Sequence, residues 1–287
     1  MTGFCKTKPN SLHFRQTISN FTIFICENAV IKRVLRFLNR CLRPGRDVRI
    51  RLHGQTLYAS TLDRIIVLIL KKFSFVEDFE NKFFQSIIEP GMVVVDVGAN
   101  IGWYTAMASK LIGDQGKVFA FEPDPENFRL LCKNVSANQC NNVETSDWAV
   151  TDKTGKIQLF LCEENRGDHR IYKSDKSRNK IDVNATSLDD FFKNSPRVDI
   201  IKIDVQGAER LVFSGMRKII ENNPRLSIMM EFCPAFLRMC NASPDEFLRE
   251  IKNYGFSIYL IDEDREKLTS IDSVGQESVN LFLKKEK

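Results

Sequence analysis

The run Asp96-Val97-Gly98-Ala99-Asn100-Ile101-Gly102 has the residue types of a ligand-gripping turn. An acidic residue stands near the end of an apolar stretch, and two glycines follow it. Gly98 and Gly102 let backbone pass close to a ligand where a Cβ would collide. Asn100, between them, is the non-glycine residue that best tolerates positive φ. A dinucleotide fingerprint needs Gly-x-Gly-x-x-Gly, which this spacing does not supply. No Lys-Ser/Thr pair follows, so a phosphate-cradling P-loop is excluded too. Twenty residues after Gly102 stands Glu122, in Phe121-Glu122-Pro123. A carboxylate there can accept both hydroxyls of a ribose. Together these residues suit an adenosine ligand without pyrophosphate, with Asp96 placed to receive an ammonium group.

A second group lies downstream. Lys202 and Asp204 are two apart among Ile200, Ile201, Ile203 and Val205, so they share one face of a strand. Charges on so apolar a strand are costly unless paired or exposed at its end. Asp204 is the expected base, orienting or deprotonating an acceptor hydroxyl, and Lys202 is expected to hold the acceptor or its developing oxyanion. Glu209 and Glu231 are further catalytic candidates at neighbouring element ends. The alternative is an internal Lys202–Glu209 or Lys202–Glu231 ion pair that braces the strand ends. Asp204, Glu209 and Glu231 also offer oxygen atoms of the kind magnesium prefers, but the expected metal content is none.

The elements that must position these residues alternate. Met92 to Val97 is an apolar run of strand length, and Lys117 to Phe121, Val143 to Val150, Val198 to Ile203 and Leu226 to Phe232 read as the strands that follow. Helical sequence separates them at Trp103 to Ile112, from Asp124-Pro125 onward, Ala208 to Asn222 and Pro244 to Tyr254. Asp124 is an N-cap with Pro125 in the first turn, and Ser243-Pro244-Asp245-Glu246 is a capping box. Strands alternating with helices specify a parallel sheet covered on both faces. Ser257 to Ile261 and Val279 to Leu283 suit an antiparallel hairpin at its edge. Upstream, Asp47 to Ser60 reads as a hairpin about His53-Gly54, followed by a helix around Phe79 to Ile88. Residues 163–184 are polar and break the alternation, which reads as an insertion or mobile lid. His53 and His169 have no ligand-spaced neighbour and are expected in surface or turn roles. Phe83, Phe84, Phe128, Phe191 and Phe192 fall at core-like positions.

Composition sets the bounds. A chain of 287 residues, 43% hydrophobic and 28% charged, buries a sizeable core and is neither disordered, collagen-like nor a disulfide-stapled module. No run approaches 18 apolar residues, and Phe21 to Cys26 is too short for a secretory segment. Eight Cys without a Cys-x-x-Cys pair, and three His, argue against a zinc cage and for reduced interior thiols in a cytoplasmic protein. The basic charge is concentrated at the start: residues 1–45 hold eight cations against Glu27 alone. There Ile31, Val34, Leu35, Leu38 and Leu42 recur at helical spacing between Lys32, Arg33, Arg36, Arg40 and Arg43. Three readings stand for this helix: contact with an anionic membrane surface or polyanion, packing on the domain with wet cationic heads, or a targeting segment. The expected division is a basic appendage at 1–45, a hairpin and helix at 46–90, and the main domain at 91–287.

Asp96-Val-Gly-Ala-Asn-Ile-Gly102, Phe121-Glu-Pro-Asp124, Thr186-Ser-Leu-Asp-Asp190 and Ile201-Lys-Ile-Asp-Val-Gln-Gly-Ala-Glu209 together resemble the FkbM family of methyltransferases. The resemblance covers Val48 to Pro234, and the Lys-Ile-Asp-Val-Gln-Gly-Ala-Glu run is its most specific part. It implies a Rossmann-like α/β fold: a seven-stranded, mostly parallel sheet with helices on both faces and an antiparallel edge strand. It also implies S-adenosyl-L-methionine as cofactor and O-methylation of sugars, polysaccharides or secondary metabolites. In related methyltransferases a residue near the end of the third strand meets the adenine, which makes Asp147 and Trp148 the candidates. A small-molecule or carbohydrate acceptor is therefore expected. No nucleic-acid partner is expected, and the rivals are an RNA methyltransferase using the basic N-terminal helix and a catalytically silent cofactor-binding module.

Overall fold

The computed structural model describes residues 47–61, 79–163, 165–173, 178–193 and 197–285, so the basic appendage and its three readings lie outside the described residues. Asp47–Leu52 (β1) and Gln55–Ser60 (β2) form the expected hairpin, turning at His53 and Gly54 with φ of 45° and 75°. Two positive φ values in a two-residue loop match the twist of the flanking strands. Phe79–Ser86 (α1) follows, then Val93–Val97 (β3), Trp103–Ile112 (α2), Lys117–Phe121 (β4), Pro125–Ala137 (α3) and Val143–Ser146 (β5). Ala149–Val150 (β6), Gly155–Phe160 (β7) and Lys180–Thr186 (β8) come next, then Leu188–Phe191 (α4), Ile200–Ile203 (β9), Glu209–Ser214 (α5) and Arg217–Asn222 (α6). The chain continues as Ser227–Phe232 (β10), Pro234–Met239 (α7), Pro244–Asn253 (α8), Phe256–Asp262 (β11), Lys267–Ser270 (β12) and Val279–Lys285 (β13).

The main sheet has the order β12-β11-β13-β10-β9-β3-β4-β5. Strands β5, β4, β3, β9 and β10 run parallel, whereas β13 is antiparallel to both β10 and β11. Alternation divides the strands between two cores. Val95, Val97, Ile201 and Ile203 face one core with Phe213, Phe232 and Phe247. Val94, Ile200 and Met229 face the other, under Phe83 and Phe84 of α1 and Met107 and Ile112 of α2. Each of these large side chains contributes roughly 1.5–3 kcal/mol by leaving water. Phe192 is also buried, and Phe128 and Phe191 are partly so.

Four details depart from the sequence reading. The main sheet has eight strands, not seven, because Lys267–Ser270 pairs with β11 at the edge. Such a short polar edge strand has little apolar pattern to announce it. Second, Val143 to Val150 is two strands: β5 ends the main sheet, and β6 joins β7 and β8 in a separate three-stranded sheet. Third, the region 163–184 is not wholly a loop, since Lys180–Thr186 is β8. Fourth, the helix expected over Ala208 to Asn222 breaks at Gly215, where a Cβ would lie 2.2 Å from the Thr151 carbonyl oxygen.

Asp124 caps α3, its side chain accepting from the Asn127 N–H, and Ser243 caps α8 in the same way through Glu246. Among the described residues the cysteines are free thiols, buried or half-buried, and no helix is long and apolar enough to cross a membrane.

Candidate active site

Where β3, β4 and β9 end, the chain leaves the sheet in loops that pack directly on one another. Gly98 has φ of 82°, and a Cβ there would lie 2.0 Å from the Asp204 carbonyl oxygen. Backbone meets backbone, which only glycine permits. The N–H groups of Gly98 and Ala99 both donate to the Phe121 carbonyl, at 3.0 and 2.9 Å. Asn100 has φ of 51°, and its N–H donates to Glu122 Oε2 at 2.9 Å, while the Asp124 N–H donates to Oε1 at 2.9 Å. Glu122 is the clasp that joins the β3 loop to the β4 corner.

Gly98, Asn100, Glu122 and Asp204 share one cleft of about 640 Å³, counting its open mouth. Its opposite wall comes from the small sheet and from residues 165–173, through Leu159, Arg166, Gly167, His169 and Ile171. The other expected site residues stand apart from it. A Cβ at Gly102 would lie 2.6 Å from Leu131 Cδ1 of α3, so this glycine serves the packing of α2 on α3. Asp147 is exposed and Trp148 half-buried on the crossing from β5 to β6, while the strand end gives Ala149 and Val150 to the cleft.

Asp96 and Lys202 are register partners on the face covered by α1 and α2. Asp96 Oδ2 accepts from the Thr105 hydroxyl at 2.6 Å, and its Oδ1 is buried without a partner. Lys202 Nζ lies 3.4 Å from Asp204 Oδ2 and 4.3 Å from the centre of the Tyr104 ring. Its ion pair is thus with Asp204, in place of the brace to Glu209 or Glu231. Gln206 donates through Nε2 to Asp204 Oδ1 at 2.8 Å and to Glu231 Oε2 at 2.5 Å, and the Ser278 hydroxyl donates to Glu231 Oε1 at 3.0 Å. Glu209 Oε1 accepts from the N–H groups of Gly207 and Val205 at 3.0 and 3.4 Å, closing the turn after β9, and its Oε2 is buried without a partner. No group of three His, Cys, Asp or Glu suited to a metal occurs among the described residues.

Residues 96–258 match the Methyltransferase FkbM domain, more than half of the chain. The protein belongs to the FkbM methyltransferase family. It is similar to Methyltransferase 1 of Beauveria bassiana, 25% identical over 43% of this chain and 57% of that one. It is also similar to the hexuronic acid methyltransferase AglP of Haloferax volcanii, 26% identical over 45% of this chain and 52% of that one. The chain thus spans little more than half the length of these curated relatives. Among solved structures, an S-adenosylmethionine-dependent O-methyltransferase of Thermotoga maritima aligns with TM-score 0.41 and 17% identity, covering 86% of this chain and 81% of that one.

FkbM methyltransferases use S-adenosylmethionine, and the cleft fits it. Gly98 and Glu122 line it, Asn100 Oδ1 is shut from solvent without a hydrogen-bond partner, and the Asn100 and Asp124 N–H groups hold the two Glu122 oxygens at the cleft. Burial pushes the Glu122 carboxyl up to about 8 against the pull of those N–H groups. Burial would also raise Asp204, but Lys202 and Gln206 outweigh it and hold the carboxyl below its usual range. The same burial would lower Lys202; Asp204, Asp96 and Glu80 outweigh it and raise the ammonium above its usual value. Burial raises Asp96 despite Lys202 and Thr105, lifts Glu209 to about 7, and with Asp204 and Glu209 lifts Glu231 well above the carboxylate range.

Sequence reasoning missed His169 and Arg166. His169 is not at the surface: its side chain is 8% exposed and belongs to the cleft wall. Arg166 Nη1 donates to Asp124 Oδ1 at 2.7 Å, which ties that wall to the start of α3. Neither residue has a neighbour at a telling spacing, so the sequence held no signal for either.

Proposed function

We propose that the protein transfers a methyl group from S-adenosylmethionine to an alcohol oxygen of a sugar, polysaccharide or secondary metabolite. The observation that carries this reading is the contact of Gly98 with the Asp204 carbonyl, which sets an ionised carboxylate beside the cofactor turn. The hexuronic acid relative supports a carbohydrate acceptor.

The bound cofactor supplies an electrophilic methyl on a sulfonium, which needs no further activation. The chain's own residues position and deprotonate. Glu122 accepts the ribose hydroxyls, the Gly98 turn packed on the Asp204 carbonyl floors the cleft, and Asp96 braces that turn from beneath through Thr105. Asp204 accepts the acceptor's hydroxyl proton as the oxygen attacks. Lys202 and Gln206 hold one carboxylate oxygen each, so Asp204 stays ionised and aimed. Positioning supplies most of the rate effect, and proton removal adds a factor of roughly a hundred or more. Glu231 shares Gln206 with Asp204 and steadies that amide; Glu209 holds the turn on which both depend.

The test is the purified full chain with methyl-labelled S-adenosylmethionine and a panel of sugars and uronic acids. Label should appear on a hydroxyl oxygen with the wild type and fall about a hundredfold with Asp204→Asn. Label on RNA, and on no sugar, would overturn the acceptor class.

A further inference from the structure

Residues 165–173 cross the cleft and are fastened at both ends. At one end Arg166 holds Asp124, and Asn127 Nδ2 donates to the Arg166 carbonyl at 3.0 Å. At the other, the Tyr172 hydroxyl donates to the Gln206 carbonyl at 2.9 Å. Between them Arg170 pairs through its backbone with Phe160 at the end of β7. His169 therefore sits on a held segment, and its ring is oriented by the Cys162 N–H, which donates to Nδ1 at 3.0 Å. An Nδ1 that accepts leaves the proton of a neutral ring on Nε2. That Nε2 lies 3.5 Å from Asp124 Oδ2, an ion-pair contact only if the ring is protonated, and it is buried without a hydrogen-bond partner. A buried donor left unmet costs about 1–3 kcal/mol, so its position calls for an acceptor.

We propose that the Nε2–H of His169 donates to the nucleoside part of the cofactor, making the loop wall a second recognition element of the cleft. This rests on the cofactor reading above. The nucleoside end is specified by location. The imidazole stands beside Asp124, whose N–H is held by Glu122, the ribose acceptor; Asp204 stands at the end of a different strand. Burial lowers the ring to about 4, so at neutral pH it donates without setting a cation near the sulfonium. Arg166, the cation on the same wall, is neutralised by Asp124.

Two substitutions separate recognition from structure. His169→Asn places Oδ1 where Nδ1 was, keeping the Cys162 bond but losing the Nε2 donor. His169→Gln carries an amide N–H out to the Nε2 position but gives up the Cys162 bond. Calorimetry on the full chain with S-adenosylhomocysteine and with adenosine should show His169→Asn about tenfold weaker for both ligands, with the unfolding midpoint near the wild-type value. His169→Gln should stay within about threefold. The inference is overturned if His169→Asn binds like wild type, or if His169→Gln is the weaker of the pair, the order a purely structural role demands. A readout without substitution guards against misfolding. In wild-type chain labelled with nitrogen-15 at histidine, the His169 Nε2 resonance should move on adding S-adenosylhomocysteine while the ring stays neutral, and an unmoved resonance sinks the proposal. Failure of the wild type to bind S-adenosylhomocysteine would instead remove the cofactor reading itself.

Discussion

The two walls of the cleft are held by different means. On the sheet side backbone holds backbone: Gly98 lies against the Asp204 carbonyl, and Gly98 and Ala99 both donate to Phe121. On the loop side, side chains hold backbone and one another, through Arg166 on Asp124, Asn127 on Arg166 and Tyr172 on Gln206. A backbone contact admits almost no substitution. A set of side-chain fasteners can lose one member and keep its course, because each is worth about 1 kcal/mol. The sheet wall therefore tolerates the fewest substitutions, and the loop wall tolerates the loss of single fasteners.

Gly98→Ala tests that contrast most severely. Its Cβ meets a carbonyl that belongs to β9's exit and cannot swing aside, and φ is 82° besides. Destabilisation of about 3 kcal/mol or more is expected, together with loss of S-adenosylhomocysteine binding, read by thermal unfolding and calorimetry. Gly102→Ala meets the far end of a leucine instead, so ligand affinity should fall much less although φ is 86°. Equal losses in the two variants would erase the distinction between the loop contact that floors the cleft and helix packing.

Asp204→Asn comes next. Turnover should drop about a hundredfold while S-adenosylhomocysteine affinity stays within a few-fold of wild type, since the base acts on the acceptor. Equal losses in both would make Asp204 a cofactor anchor.

The sheet wall was largely readable beforehand, and the reason is physical. A glycine required by a backbone contact cannot be exchanged, so Gly98 and Asn100 stand out by type and spacing, and Glu122 follows at the interval one strand–helix–strand unit sets. Gly102 looked the same as Gly98 in sequence, because a close approach by the Asp204 carbonyl and one by Leu131 ask for the same residue. Lys202 and Asp204 were readable as charges on an apolar strand. His169 and Arg166 were not: they lie in a polar stretch without periodicity, and their partners Cys162 and Asp124 come from other parts of the fold. Asp147 and Trp148 were misplaced because a single strand was read over 143–150, whereas the chain changes sheets at those two residues. No Gly or Pro interrupts Val143 to Val150 to mark the change.

Glu122→Ala should weaken S-adenosylhomocysteine about tenfold, from the loss of ribose hydrogen bonds worth about 1 kcal/mol each. Glu122 also gives the sheet wall a pH signature. Its folded value of about 8 stands above the ordinary 4.5, so the fold holds a proton that the unfolded chain releases more readily. The associated stability is fully present below about pH 4.5 and is lost as pH rises through about 8. The ligand-free unfolding midpoint should therefore fall across that window. Glu122→Gln should make the decline shallower without abolishing it, because Glu209, lifted to about 7, contributes in the same direction. An unchanged slope would mean that Glu122 titrates normally.

Arg166→Ala should have the smallest effect and probes the loop wall alone. The guanidinium side chain is 22% exposed and its partner Asp124 3%, so this is a partly screened ion pair worth about 1 kcal/mol or less. Losing it leaves Asp124 with the Asn127 N–H, so α3 keeps its cap. Tyr172 and the Phe160–Arg170 bridge still hold the rest of the loop. Affinity for S-adenosylhomocysteine should therefore fall by about threefold or less, and the melting point by a few degrees. A loss as deep as that of Gly98→Ala would show that the loop wall hangs on one fastener, and the division between a rigid wall and a replaceable one would have to be redrawn.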